Sequence, residues 1–343
     1  MIGSFKSDLE EGLVALDLLA LFESLILPLE LPSGTNLSAV PIPDSQTHRL
    51  AKDANGSPCL LLRQPRGAAR PTPIHLQNLS ISYDVPCNIT HPTGAQEQAN
   101  FTIIKCSNSD PKLFPHFLRI ISPMVVALGP NPTSAAVRRA ISGLVELFRA
   151  LTAPTQKSIQ GIWGELFVIH NSADPTTVAT AWHRIPEEHY DFAAGPQRLD
   201  VKTSSNRRRE HHFSLAQLTA PGPSRVVIAS LFVERTGGGI SLRRLFEQTR
   251  QLLSNDATLL TQFDASFYAT VGSAWNDAMD ESFDWELAGE SLAFFDANSV
   301  PKVQIPVPPR VSDVRFCSDL SAVTPLQSDD LTSFGNLLAV ITR

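Results

Sequence analysis

The sequence predicts a mixed α/β protein of the α+β kind, with a β-rich module at its N-terminal end. Three observations predict it. Residues 110–170 carry apolar side chains three and four apart, the spacing of helices packed by one face. Directly after them come a short hairpin, two strand-like segments and a further helix, an order compatible with a mixed α/β core. Val226 to Val233 is an apolar run interrupted only by Ser230, typical of a strand buried on both faces. At 343 residues the chain is long enough for two domains or one large one. Its composition, 43% apolar and 18% charged, supports a real core and excludes a largely disordered chain.

Leu13 to Leu31 is an apolar-rich run, and residues 7–25 suit an amphipathic helix. Asp17, Glu23 and Glu30 interrupt the run and make it too charged for a membrane span, and it lacks the basic start and small-residue cleavage site of a signal peptide. Asp53-Ala54-Asn55-Gly56 reads as a hairpin turn between Thr47–Ala51 and the apolar Cys59–Leu62. Ile74–Tyr83 and Asn100–Cys106 read as further strands. Leu113, Phe117, Ile120 and Ile121 share a helical stripe that ends before Pro123 or Gly129. A second helix covers 136–151 and a third 156–170. Gly237-Gly238-Gly239 reads as a flexible turn, and Ser241 as the N-cap of a helix over 242–253. Leu292–Phe295 and Val314–Cys317 are strand-like, joined through Pro301, Pro306, Pro308 and Pro309. The expected organisation is 1–106, an N-terminal helix plus β-rich module; 107–280, a helical segment and the α/β core; and 281–343, a C-terminal strand-containing extension.

The four cysteines, Cys59, Cys87, Cys106 and Cys317, show no metal-ligand spacing and no disulfide framework, which suits a reducing cytoplasm. The net charge of −6 speaks against a chain that grips nucleic acid by non-specific affinity alone. No phosphate loop, no Gly-x-Ser-x-Gly elbow and no His-Glu-x-x-His occurs.

The chemistry concentrates in one hairpin. Alternation along Leu199-Asp200-Val201-Lys202 sends Leu199 and Val201 to one face and Asp200 and Lys202 to the other. Asp191 lies on the preceding arm, across the turn Gly195-Pro196. Two carboxylates and an ammonium then converge, which is what a hard divalent metal site with a charged helper needs. The tripeptide alone decides little, because 7 lysines and 34 acids give about one acid-any-Lys by chance. The other instance, Asp110-Pro111-Lys112, has a proline that suits a helix start rather than a ladder.

The ordered set Gly164-Glu165-Leu166, Tyr190-Asp191-Phe192, Leu199-Asp200-Val201-Lys202-Thr203-Ser204, His211-His212-Phe213-Ser214 and Gln217-Leu218 resembles the PD-(D/E)XK nuclease superfamily. In particular it is similar to bacterial PD-(D/E)XK motif proteins of phage-defence and restriction gene clusters. The residue before Asp191 is Tyr190, where the motif is named for proline. The resemblance covers roughly residues 155–235. It implies a central mixed sheet flanked by helices, the restriction-endonuclease-like core, and DNA cleavage assisted by Mg²⁺ or Mn²⁺. It implies Glu165, Asp191, Asp200 and the Val201 carbonyl as metal ligands, Lys202 as the charged helper and Gln217 as the polar residue that orients the lysine or holds a phosphate. Arg207, Arg208, Arg209 and the site-facing His212 would touch DNA phosphates. ATPase or methyltransferase subunits of a defence system would be partners. A catalytically silent scaffold on the same fold is the rival. The four charged groups argue against it, since converging them in one cleft is costly without a use.

Overall fold

The computed structural model describes residues 17–342 apart from 30–33, 44, 46, 64–70, 108–109, 152–156, 184–188, 220–221, 223, 275–277, 305–307 and 309. The chain divides into two compact units, Met1–Arg149 and Ala150–Arg343.

In the first unit, α1 (Leu18–Glu23) precedes β1 (Thr35–Pro41), β2 (Arg49–Asp53), β3 (Pro58–Leu62), β4 (Ile74–His75), β5 (Leu79–Thr90) and β6 (Gln96–Cys106). Of the helix expected over 7–25, residues 7–16 lie outside the described residues; Asp17 caps the part that is described. The strands lie in the order β1-β2-β3-β6-β5-β4, and β1 also pairs with β5 in parallel. That second pairing closes five strands into a barrel, which removes two sheet edges. Alternate residues fill its interior, among them Leu37, Ala51, Leu61, Ile89, Phe101 and Ile103. The turn at Asp53 forms as expected. Asp53 Oδ1 accepts from Asn55 N at 3.0 Å and Ser57 N at 2.8 Å, and Gly56 takes φ +81°, a value other residues resist. Then come α2 (Phe114–Leu128) and α3 (Ser134–Ala150). Helix α2 runs through Pro123 and stops at Gly129, so of the two expected stops the glycine is the real one.

In the second unit, α4 (Ile159–Asn171) and α5 (Pro175–Ala181) lead into β7 (Phe192–Ala194), β8 (Gln197–Ser204), β9 (Glu210–Ser214), β10 (Arg225–Phe232) and β11 (Arg235–Ser241). Helices α6 (Leu242–Leu252) and α7 (Ala257–Val271) follow, then β12 (Ser282–Phe283), α8 (Trp285–Ser291), β13 (Ala293–Asp296) and β14 (Arg315–Asp319), and the short α9 (Ser328–Thr332) and α10 (Asn336–Ala339). The main sheet is β13-β10-β8-β7. Strands β8 and β10 are parallel, while β7 and β13 run antiparallel to their neighbours, so the sheet is mixed. Helix α4 packs on β8 and α8 on β10. Beside them, β9 pairs with β14 and β11 with β12. Ser241 caps α6 as expected. The three glycines at 237–239 are not a turn: they lie inside β11, and a Cβ on Gly239 would stand 2.1 Å from Phe283 O. Close strand approach, not flexibility, is the reason for that glycine. Helix α7, for which the sequence reading had no expectation, is tied to α6 by a two-pronged Arg250–Asp264 ion pair at 2.7 and 3.0 Å. No helix among the described residues is long and apolar enough to cross a membrane.

Candidate active site

Helix α4 starts at Ser158, whose Oγ accepts from Gly161 N at 3.1 Å. Its stripe of Ile162, Trp163, Leu166 and Phe167 is fully buried. At Gly164 a Cβ would stand 2.4 Å from Thr203 Cγ2, so only glycine lets the helix lie this close to β8. That close seat carries Glu165, the next residue, into the interior, where it is only 2% exposed.

Each oxygen of Glu165 has partners. Oε1 accepts from Lys157 Nζ at 2.7 Å. Oε2 accepts from Trp182 Nε1 at 2.8 Å, and His183 Nε2 stands 3.0 Å from the same oxygen. Asp191, just ahead of β7, is arranged alike. Its Oδ1 accepts from Lys157 Nζ at 2.5 Å, and its Oδ2 accepts from the backbone N–H of Val201 at 2.7 Å. A single ammonium thus sits between two buried carboxylates.

One step along β8 lies the second cell. Asp200 is 2% exposed, and its Oδ2 pairs with Lys202 Nζ at 2.9 Å. Its Oδ1 accepts from Gln217 Nε2 at 3.1 Å. Gln217 also donates to His189 O and accepts from Ser214 N, so it ties Asp200 to the turn after β9. It touches the acid that pairs with the lysine, not the lysine itself. Alternation puts Asp200 and Lys202 on one face, as expected, but that face is covered. Phe213 lies under the Lys202 ammonium, 5.3 Å from it. Burial opposes charge on Lys202, yet Asp200 and then Asp191 outweigh it and raise its pKa, so it remains an ammonium.

The two buried acids of the first cell diverge in acidity. Burial opposes charge on Glu165, but Lys157 and the His183 contact prevail and hold it down to about 2. Burial and then the Glu165 charge push Asp191 up to about 6. Lys157 is raised by both carboxylates against the cost of its burial.

The carboxylates Glu165, Asp191 and Asp200 pair off in two adjoining cells, Glu165 and Asp191 about Lys157 and Asp200 about Lys202, and the charges of Asp191 and Asp200 act on each other across them. Among the described residues, no three His, Cys, Asp or Glu side chains are grouped to hold a metal ion. The donors of the first cell still fit a hard cation in kind. They are carboxylate oxygens, each fixed by a neutral donor on its other oxygen, and a cation of this chain already sits between them.

The arginines expected at DNA are dispersed. Arg209 turns inward, donating to Ser230 O, Ser230 Oγ and Ser291 O, with its guanidinium near the rings of Phe232 and Phe295. Arg207 makes a fork onto Glu234, and Arg208 stands 3.8 Å from Glu210; both are exposed. His212 is exposed and His211 buried, as alternation implied. A cavity of about 1070 Å³ opens beside the site, lined by His189, Lys202, His212, Ser214, Gln217 and Arg315 among others.

Three residues at the site escaped the sequence reading. Trp182 and His183 follow α5, whose start is written in the sequence: Asp174 accepts from Thr176 N and Thr177 N, and Pro175 occupies the first turn. Lys157 precedes the cap Ser158 and belongs to no motif.

A family model described as "Putative PD-(D/E)XK family member, (DUF4420)" matches residues 23–321. No curated protein and no solved structure matches the chain.

Proposed function

The chain belongs to this PD-(D/E)XK family, a nuclease family, and on that premise we propose that it hydrolyses DNA phosphodiester bonds with Mg²⁺ or Mn²⁺. The observation that carries the reading is the burial of Glu165, Asp191 and Asp200 beside Lys202 at the middle of β8. Three buried acids are expensive to keep. Packing alone gives no reason for them.

Glu165 and Asp191 would hold the ion through Oε1 and Oδ1, with Asp200 and the Val201 carbonyl as the remaining oxygen donors. When bound, the ion supplies Lewis acidity at the scissile phosphate. The chain supplies the rest. Trp182, His183 and the Val201 N–H fix the two carboxylates before substrate arrives, which removes reorganisation from the reaction. Lys202 keeps its proton and is therefore placed to neutralise charge that develops on phosphate oxygens. Gln217 holds Asp200 and, through it, the lysine. The cavity lined by His189, His212 and Arg315 leads to Lys202 and would take the strand. Arg207 and Arg208 would meet phosphates further out.

The resemblance in motif order supports a finer reading: the nuclease subunit of a cytoplasmic restriction or phage-defence system, targeted by ATPase or methyltransferase partners. One observation favours the rival scaffold reading, namely that Lys157 pairs with Glu165 and Asp191 at once and so balances part of their charge. Cleavage of plasmid DNA with Mg²⁺ or Mn²⁺ separates the two. Activity in the wild type that disappears in Asp200→Ala supports the enzyme. A folded wild type that is inert with both ions and on single- and double-stranded substrates supports the scaffold.

A further inference from the structure

We propose that Lys157 is the site's own cation: its ammonium holds the place between Glu165 and Asp191 in the metal-free protein, and a divalent ion binds by displacing it. The inference rests on the metal-dependent reading above. It starts from how the two carboxylates divide their oxygens. Glu165 Oε2 and Asp191 Oδ2 are tied to the frame by neutral donors, Trp182 Nε1 at 2.8 Å and Val201 N at 2.7 Å. Their other oxygens converge on one nitrogen, at 2.7 and 2.5 Å. A lysine that served only to balance one acid would need one partner. Two facing oxygens on separately anchored carboxylates make a seat for a cation, and the lysine is the cation present.

The lysine also has a way out. Its side chain is 21% exposed, against 3% for Glu165 and 10% for Asp191, so the acids form the floor and the ammonium comes from the solvent side. Its backbone lies one residue ahead of the α4 cap, and Ser158 alone accepts from Gly161. Withdrawing the Lys157 side chain therefore breaks no helix hydrogen bond. Lys202, at 18% nearly as exposed, differs in what holds it: it sits in the middle of β8, paired with the acid two residues away and over the Phe213 ring. One lysine is built to stay and the other to leave. The exchange replaces a single positive charge with a double one over the same two oxygens. Metal affinity then becomes a competition that Lys157 sets, and the free protein is spared the repulsion of two bare buried carboxylates.

Two measurements test this on the full chain. The first is Mn²⁺ calorimetry on wild type, Lys157→Met and Lys157→Arg, with folding checked by melting. Lys157→Met should bind Mn²⁺ roughly tenfold or more tightly than wild type, and Lys157→Arg no more tightly than wild type. The second needs no variant: amine acetylation read by mass spectrometry, with and without saturating Mn²⁺. Acetylation of Lys157 should be slow in the metal-free protein and speed up severalfold with Mn²⁺. Equal or weaker Mn²⁺ binding by folded Lys157→Met overturns the proposal while leaving the metal reading intact, as does unchanged acetylation of a metal-loaded wild type. Absence of Mn²⁺ binding in both wild type and Lys157→Met overturns both.

Discussion

The barrel of the first unit and the sheet of the second both bury carboxylates, and they satisfy them in different ways. In the barrel, Asp53 is answered by its own turn: backbone N–H groups of Asn55 and Ser57, together with the ammonium of Lys105 from β6. One acid meets one base and the local backbone, and the account closes. In the second unit, Glu165, Asp191 and Asp200 draw their donors from α4's approach, the segment after α5, β8 and the turn after β9. Three acids there meet two lysines, Lys157 and Lys202. An acid satisfied locally is a fold device. Acids assembled from remote elements and left in excess are what a catalytic site requires.

The largest effect expected from this contrast is on activity. Asp200→Ala or Lys202→Ala should lower DNA cleavage by on the order of 10²–10³, because the first removes an oxygen donor to the ion and the partner of Lys202, and the second removes the positive charge placed at the phosphate. Asp53→Ala should do the reverse: stability falls by about 2 kcal/mol, as a buried donor set loses its acceptor, while the folded fraction cleaves normally. Asp110→Ala should leave cleavage by the folded protein unchanged. Cleavage rates alongside denaturant midpoints read the two axes. Full activity in folded Asp200→Ala would erase the distinction between the two regions.

The next effect is on metal. His183→Ala and Trp182→Phe each remove a group that holds Glu165 Oε2. Loss of an outer partner of this kind costs roughly 10- to 100-fold in metal affinity. Mn²⁺ calorimetry should show that loss. An unchanged affinity in both variants would mean that Glu165 is anchored by the fold alone, like Asp53.

Much of this was legible in the sequence. The Asp53–Gly56 turn, the buried run of β10 and the cap at Ser241 all rest on local chemistry, and local chemistry is what a sequence displays. The hairpin and its acid-any-Lys strand were legible for the same reason. Closure of the barrel by β1 on β5 was not, since it joins residues about fifty apart by a parallel pairing with no local mark. The glycines of β11 misled because their cause is the distant Phe283 carbonyl. Lys157 was hidden for a related reason: its partners stand 8 and 34 residues away, and nothing in its neighbours announces them. Trp182 and His183 were recoverable, since Asp174-Pro175 marks the helix that delivers them.

A smaller effect concerns pH. Arg209 donates to Ser230 Oγ, which leaves the Ser230 hydroxyl to donate to His211 Nε2 at 2.8 Å. His211 is thereby kept neutral. Burial, with Lys202 on β8 and Arg209 beside it prevailing over Asp319 on β14, lowers it from 6.5 to about 4. The unfolded chain takes up this proton first, so the contribution is fully present above pH 6.5 and is lost as pH falls toward 4. At pH 5 the loss is about 2 kcal/mol. Asp191, raised from 3.8 to about 6, acts in the opposite sense, since its contribution fades as pH rises through that window. Glu165, held at about 2, matters only below pH 4.5. The difference between wild type and His211→Gln isolates the histidine: the variant's melting temperature should fall less between pH 7 and pH 5. Parallel curves would mean that His211 takes up its proton as readily in the folded protein as in the unfolded chain.

The smallest effect separates the arginines. Arg207 and Arg208 are exposed, and their present partners, Glu234 and Glu210, are surface acids that a phosphate can replace. Each should contribute about one released counterion, so Arg207→Ala or Arg208→Ala weakens DNA binding roughly two- to threefold and lowers the salt slope by about one. Arg209 has three oxygens and two rings inside the fold, so Arg209→Ala should lower the melting temperature and leave the salt slope of the folded protein alone. Against a net charge of −6, the wild type itself should bind DNA weakly and lose that binding steeply with salt. Gel-shift titrations at several salt concentrations read all three variants. A slope lowered by Arg209→Ala as much as by Arg207→Ala would put the inward arginine at the DNA. Tight, sequence-specific binding by the wild type at near-physiological salt would mean that the chain carries its own recognition element, and partner proteins would no longer be needed to target it.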